Sequence, residues 1–185
     1  MTDQRTDGVL VADILSGRPE ALTILLGRYE AGAVRYACSI VGDRDDAEDV
    51  VQTASIKAYR NLRAFDQHRP FQPWLYRIIR NEAFNWIRNH RRTVYGEGAQ
   101  LLLENTPSQT DTHADIEKTE IQTMIRQCLF QLPLNYREPL MLYYLDDRTY
   151  QEISDILRLP LGTVGTNINR GKQQLRRLVE AQGSQ

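Results

Sequence analysis

The sequence predicts an all-α protein built as two small helical domains joined by a flexible linker. Three observations predict it. Apolar residues recur at helical spacing along most of the 185 residues. No stretch alternates polar and apolar residues over strand length. Between Thr93 and Thr112, "TVYGEGAQLLLENTPSQTDT" drops the helical period and gains Gly, Ser, Thr and Pro. The expected division is 1–92, a linker over 93–115, and 116–185.

In the first domain a helix is expected over Gly8–Leu15, followed by the turn "SGRP". One longer helix then runs from Pro19 to about Val41, because a proline in the first turn sacrifices no hydrogen bond. The next begins in "DRDDAED", where Asp45 and Glu48 have capping-box spacing and the acids complement the helix dipole, and it continues to about Leu62. The loop "FDQHRPFQP" leads into "FQPWLYRIIRNEAFNWIRNHRR", Phe71 to Arg92, with Pro73 the candidate first helical residue. Within the linker the run Leu101–Leu103 is apolar enough to dock.

The second domain opens with an amphipathic helix that turns Ile116, Ile121, Met124, Ile125, Cys128 and Leu132 inward. "NYREPLMLYYL", "TYQEISDIL" and "TVGTNINRGKQQLRRLVEAQ" supply three more helices. Thr149 and Glu152 form a capping box, Ile153, Ile156 and Leu157 face inward, and "RLPLG" makes a turn. Thr163 is the expected cap of the last helix, with Val164, Ile168 and Leu175 as its inner stripe. This is the build of a helix-turn-helix, whose second helix enters a major groove. The positions left outward are Gly165, Thr166, Asn167, Asn169, Arg170 and Lys172. A three-helix packing unit without DNA is the plainer alternative.

Composition excludes several classes. At 41% hydrophobic and 25% charged the chain is globular, and no apolar run approaches the roughly 18 residues that a membrane span needs. "MTDQRTDGVL" lacks the basic-then-apolar order of a signal peptide, so a cytosolic protein is expected. Cys38 and Cys128 lack C-x-x-C partners, which indicates neither a disulfide framework nor a zinc site. "GTNINRGK" fails as a phosphate loop, since five residues separate Gly165 from Gly171 where four are needed, and Gln173 stands where Ser or Thr would hold magnesium. His68, His90 and His113 form no metal motif, and no nucleophile sits in an elbow. Neither enzyme chemistry nor a cofactor is expected.

Net charge is −1, but it is unevenly spread. From Gln67 to Arg92 six arginines (69, 77, 80, 88, 91 and 92) face Glu82 alone, a local +5. From Arg158 to Val179, Arg158, Arg170, Lys172, Arg176 and Arg177 stand with no acid, again +5. Local charge decides where phosphates dock, so two contacts on one long polyanion are indicated. On the helix from Phe71, Leu75, Ile79, Ala83 and Trp86 form a core stripe. Trp74, Arg77, Asn81, Asn85, Arg88 and Arg92 share the other face, where a large ring lies among cations and amides. A solvated arginine face with one stray Trp is one reading; a surface that grips a nucleic-acid backbone and stacks on or reads bases is the other.

"DAEDVVQTASIKAYRNLRAF", "WLYRIIRNEAFNWIRNHRR" and "LPLNYREPLMLYYLDDRTYQEISDILRLPLGTV" resemble, in order and spacing, the extracytoplasmic-function (group 4) sigma factors of bacterial RNA polymerase. The resemblance covers roughly Gly17–Arg92, matching the family's region 2, and Gln131–Val179, matching region 4. It implies promoter-specific initiation with core RNA polymerase. Region 2 would dock on the β′ coiled coil and recognise the −10 element as strands separate, and region 4 would dock on the β flap and read the −35 element as duplex. The polymerase-facing candidates are Asp46, Glu48, Asp49 and Gln52; helix capping plus a solvated face is their plainer role. The −10 candidates are Phe65, His68, Arg69 and Phe71 of the family's specificity loop, with Trp74, Arg77, Asn81, Asn85, Arg88 and Arg92. Trp74 is assigned a dual role, wedging against DNA and packing within the domain. The −35 candidates are Thr163, Gly165, Thr166, Asn167, Asn169, Arg170 and Lys172.

Region 4 departs from the family pattern. After "GTV" the family has a basic residue, then Ser, then Arg, whereas Gly165, Thr166 and Asn167 stand here. Gly171 replaces a usual Ala, and Arg158 sits in a turn where Gly is common. Two glycines are expected to weaken the helix by about 1 kcal/mol each, leaving −35 binding weak or retuned so that Asn167 or Asn169 reads adenine. The resemblance further implies an anti-sigma partner. Two competing functions are a free-standing helix-turn-helix regulator of duplex DNA and an interaction module with decayed DNA surfaces.

Overall fold

A computed structural model describes residues 3–95 and 116–182. Among them are nine α-helices and one 3-10 turn, with no strand, and no helix is long and apolar enough to cross a membrane. The chain divides into two compact units, Met1–Val94 and Tyr95–Gln185.

Unit 1 contains α1 (Asp7–Leu15), α2 (Glu20–Gly27), α3 (Glu30–Val41), α4 (Arg44–Asn61), the 3-10 turn Leu62–Ala64 and α5 (Phe71–Tyr95). The inward residues of α4 are Ala47, Val50, Val51, Ala54 and Ala58, a three- and four-residue spacing rich in alanine. Small side chains let α3 approach closely, and Ala33, Tyr36, Ala37 and Ile40 fill its facing side. Gly42, in the left-handed region at φ 97°, closes α3 and reverses the chain into α4. Tyr36 stacks on Tyr76 at 5.2 Å, fastening α5 to α3.

Three boundaries differ from expectation. The helix from Pro19 to Val41 is interrupted at Arg28 and Tyr29. Arg28 bonds the Asp7 carboxylate at 2.8 Å and the backbone oxygens of Asp3 and Arg5, while the Tyr29 hydroxyl donates to Asp7. Those tethers follow Gly27, a weak helix former, and turn α3 away from α2. The cap of α4 is Asp43 rather than Asp45; its carboxylate accepts from the Asp45 and Asp46 N–H groups at 2.8 and 3.2 Å. Glu48, freed from a capping box, pairs with Arg44 at 2.9 Å. Helix α5 starts at Phe71, so Pro73 is its third residue, still among the N–H positions that have no intrahelical acceptor.

Unit 2 contains α6 (Ile116–Gln131), α7 (Leu134–Tyr144), α8 (Tyr150–Leu157) and α9 (Leu161–Gln182). Its core holds Cys128, Leu132, Leu140, Leu142, Ile153, Ile156, Leu157, Val164 and Ile168. The Thr149–Glu152 capping box forms as expected. Helix α9 begins at Leu161, so Thr163 is not its cap; the Thr163 N–H donates to the Pro160 carbonyl at 2.9 Å, a role Pro160 fills by ending the turn. Of the expected inward residues of α6, Ile125 is 38% exposed, Met124 is half-buried, and Cys128 and Leu132 are fully buried. Leu175 on α9 is half-buried. The side chains of Ile116 and Ile121, the linker beyond Tyr95 and the run Leu101–Leu103 lie outside the described residues.

Candidate nucleic-acid interface

On unit 1 the outward stripe of α5 forms as its spacing requires: Asn81 and Arg88 are exposed, and Trp74, Arg77 and Asn85 half-buried. Only the backbone of Arg92 is described. Trp74 sits on a pedestal of rings. Phe65 lies 5.1 Å from it and Phe71 5.5 Å, those two meet edge-on at 5.4 Å, and Tyr29 supports Phe71 at 5.9 Å. Phe65 and Phe71, both expected among the −10 contacts, are buried, and their packing against Trp74 makes them its support. Before α5, the exposed loop residues His68 and Arg69 are ordered by Asp66, which accepts from the His68 N–H at 3.0 Å and pairs with Arg69 at 3.5 Å. Trp86 leaves the core stripe to half-exposure and stacks on His90 at 4.6 Å.

The amide of Asn85 is held from both sides. Its oxygen accepts from Arg88 at 2.8 Å and its nitrogen donates to Glu82 at 3.4 Å. Glu82 in turn accepts from Lys57 of α4 at 2.6 Å. Sequence reasoning missed this network because Lys57 and Glu82 are 25 residues apart; the signal available was the isolated acid itself.

The acidic cluster lies on α4. Glu48, Asp49 and Gln52 are exposed and Asp46 is half-buried. Burial, then the neighbouring charge of Asp43, pushes the Asp46 carboxyl above its ordinary range. Continuing that helix, Ile56 and Tyr59 are 49% and 50% exposed. Asp49, Gln52, Ile56 and Tyr59 stand at three- and four-residue intervals, so one stripe joins acids to apolar side chains. Their spacing was readable, but apolar residues at that interval read as core until the other face of α4 is seen to fill it.

On unit 2, Val164, Ile168 and Gly171 of α9 face inward. The opposite face carries Thr163, Thr166, Asn169 and Arg170, all exposed. Gln173 and Arg177, two and three turns beyond Thr166, complete this face and were absent from the expected set. Lys172 is exposed on its flank, and Gly165 and Asn167 are half-buried at its margins. Gly165 lies beneath the Tyr150 ring, whose Cε2 is 3.3 Å from where a Cβ would stand. Asn169 therefore faces outward more squarely than Asn167. Arg176 pairs with Glu180 at 2.7 Å.

Residues 25–93 match the family model described as Sigma-70 region 2, and residues 122–175 match that described as Sigma-70, region 4. The chain is 33% identical to the ECF RNA polymerase sigma-E factor of Escherichia coli, covering 95% of both chains. It is 30% identical to the ECF RNA polymerase sigma factor SigW of Bacillus subtilis, over 90% of this chain and 93% of that one. Among solved structures, CnrH in complex with the cytosolic domain of CnrY matches with a TM-score of 0.73 at 26% identity, covering 95% of this chain and 97% of that one. The Bartonella quintana sigma factor RpoE, solved with the anti-sigma factor NepR, shares the fold at a TM-score of 0.67 and 22% identity, covering 88% and 96% of the two chains.

Proposed function

The chain belongs to the extracytoplasmic-function sigma factors of the sigma-70 family, a family of transcription regulators rather than enzymes, and from that premise we propose how its surfaces direct promoter-specific initiation. Residues 1–92 act as region 2 and residues 116–185 as region 4, joined by 93–115. The observation that carries the reading is the α5 stripe. A tryptophan propped on buried rings, two amides one turn apart and flanking arginines suit a strand that is being unstacked. Arg77, Arg88 and Arg92 hold phosphates, Asn81 and Asn85 meet −10 bases, and His68, Arg69 and the exposed face of Trp74 enclose a flipped base.

Region 4 acts on closed duplex. Thr163, Thr166, Asn169, Arg170, Gln173 and Arg177 lie along one side of α9 with Lys172 on its flank, so that an amide can read a base edge and the cations bind phosphate. Gly165 and Asn167 lie at the margin of that contact. Core polymerase docks on the acidic–apolar stripe of α4, through Asp46, Glu48, Asp49 and Gln52 with Ile56 and Tyr59 supplying apolar area. Its β′ coiled coil meets this stripe and its β flap meets unit 2. Burial chiefly, and then the neighbouring charge of Asp43, raises the Asp46 carboxyl, and a cationic partner offsets the second of these. The protein works in the cytoplasm, and an anti-sigma factor restrains it by covering these surfaces. The matched CnrH, solved with the cytosolic domain of CnrY, is a relative with this fold held by a protein partner.

The test is transcription in vitro with core polymerase. Asn81→Ala with Asn85→Ala should reduce open-complex formation on linear duplex promoters. A pre-melted bubble should restore part of the loss, because unstacking is already done, while −10 discrimination stays relaxed. Tight, specific duplex binding by the free protein with no polymerase-dependent initiation would replace this reading with that of a free-standing regulator.

A further inference from the structure

Glu82 is the one carboxylate in the cationic stretch from Gln67 to Arg92, and it is buried at 9% exposure. It lies on the seam between the core stripe of α5 and its outward stripe, next to Asn81 in sequence and one turn before Asn85. Lys57 offsets its charge, and nothing in the attraction of this face for phosphate calls for a carboxylate here. Both its oxygens are engaged: Oε2 accepts from Lys57 at 2.6 Å and Oε1 from Asn85 Nδ2 at 3.4 Å.

These partners dictate how the Asn85 amide is turned. A carboxylate only accepts and a guanidinium only donates. The NH2 of Asn85 must therefore face Glu82, and its oxygen must face Arg88, 2.8 Å away. One N–H and one lone pair remain for a base, in fixed order. Turning the amide over would exchange donor and acceptor, and so would change which base edge it complements.

We propose that Glu82, clamped by Lys57, is a positioning residue that fixes the Asn85 amide and thereby sets base preference at the −10 position Asn85 meets. This rests on the reading that Asn85 contacts a −10 base. Glutamine at 82 cannot replace the acid. It offers one oxygen and one NH2, so a donor must face a donor, either at Lys57 or at Asn85, and the amide is no longer held one way.

The experiment measures initiation by the full chain with core polymerase on promoters carrying each base at every −10 position. Glu82→Gln should shift preference at a single position by about five- to tenfold, the scale of one well-placed polar contact. The other positions and polymerase binding should stay unchanged. In an Asn85→Ala background, Glu82→Gln should have no further effect on preference. Should Glu82→Gln fold poorly, Lys57→Met with Glu82→Met removes the ion pair as a unit at similar volume and should give the same shift. A uniform loss of initiation on all promoters would mean a purely structural role and overturn the proposal, as would a preference shift that survives Asn85→Ala. If Asn85→Ala alone leaves every preference intact, the reading of α5 fails first and the proposal falls with it.

Discussion

Gly165 and Gly171 sit in one helix, yet replacing each with alanine should move stability in opposite directions. Either change recovers about 1 kcal/mol of helix propensity. At Gly171 the gain is overridden. A Cβ there would stand 2.7 Å from Leu140 Cδ1, 3.2 Å from Leu140 Cγ and 3.1 Å from Tyr136 Cβ. The leucine tip can rotate, but Tyr136 Cβ moves only with the backbone of α7. Overpacking of this kind costs about 1–3 kcal/mol, so Gly171→Ala should lose about 1 kcal/mol net, a fall of about 5 °C in the melting of a domain this size. At Gly165 the only close atoms belong to the half-buried Tyr150 ring, at 3.3 and 3.8 Å. That ring can swing by a few tenths of an ångström, and Gly165→Ala should keep most of its gain.

Thermal melts followed by circular dichroism read the effect. Tryptophan fluorescence supplies an internal control, since Trp74 and Trp86 both belong to unit 1 and should melt unchanged in either variant. Gly165→Ala should also raise affinity for −35 duplex modestly, by reducing fraying at the start of the recognition helix. A Gly171→Ala protein as stable as wild type would refute the close-packing account, and a destabilised Gly165→Ala would refute the account of the ring.

Thr149→Ala should cost about 1 kcal/mol by removing a helix cap, read from denaturant midpoints. Burial alone would raise the Glu152 carboxyl, but the Thr149 N–H and hydroxyl, with Arg148, hold it below its ordinary 4.5; its stabilisation is therefore complete above that value and lost as pH falls through the lower folded one, a loss Glu152→Gln should abolish in acid melts. Arg158 adopts the left-handed region at φ 55°, so Arg158→Gly should stabilise unit 2 by about 1 kcal/mol, and an unchanged melting temperature would count against strain there. Loss of Arg170 or Lys172 should weaken duplex binding evenly across sequences and lower the log–log salt slope by about 1 each; a changed base preference would reassign them. Asp46, Glu48 and Asp49 replaced together by Ala should lower affinity for core polymerase in a pull-down with circular dichroism unchanged, while raising binding of the free protein to single-stranded DNA at low salt.

Local patterns were legible where one helix decides the outcome. The Thr149–Glu152 box, the inward Ile153, Ile156 and Leu157, and the outward Asn81 and Arg88 follow from spacing alone. What escaped depends on contacts across helices. Gly27 hints at a break before α3, but the tethers from Arg28 and Tyr29 to the first turn of α1 cannot be read along the chain. Phe65 and Phe71 sit in a loop sequence that looks exposed, and only the approach of Trp74 and Tyr29 buries them. Gly171 read as a weakness of the recognition helix until α7 was seen against it.

The distribution of charge on unit 1 bears on the order of events at a promoter. The first turns of α4 concentrate Asp43, Asp45, Asp46 and Asp49, while Glu48 is neutralised by Arg44. On α5 the arginines attract phosphate. Asp46 is close enough to α5 to feel the charge of His90, and at physiological salt, where charges act over about 8 Å, an acid at that range reduces the pull of α5 on a strand. If polymerase docks on α4 as proposed, covering the acids with cations removes this opposition, and DNA affinity should rise without any change in the shape of α5. The buried Glu82 stands apart from this effect, because Lys57 already pairs with it in the free protein. Removing the α4 acids should therefore strengthen DNA binding only in the free protein, whereas removing the charge of Glu82 should alter which base is chosen in the complex.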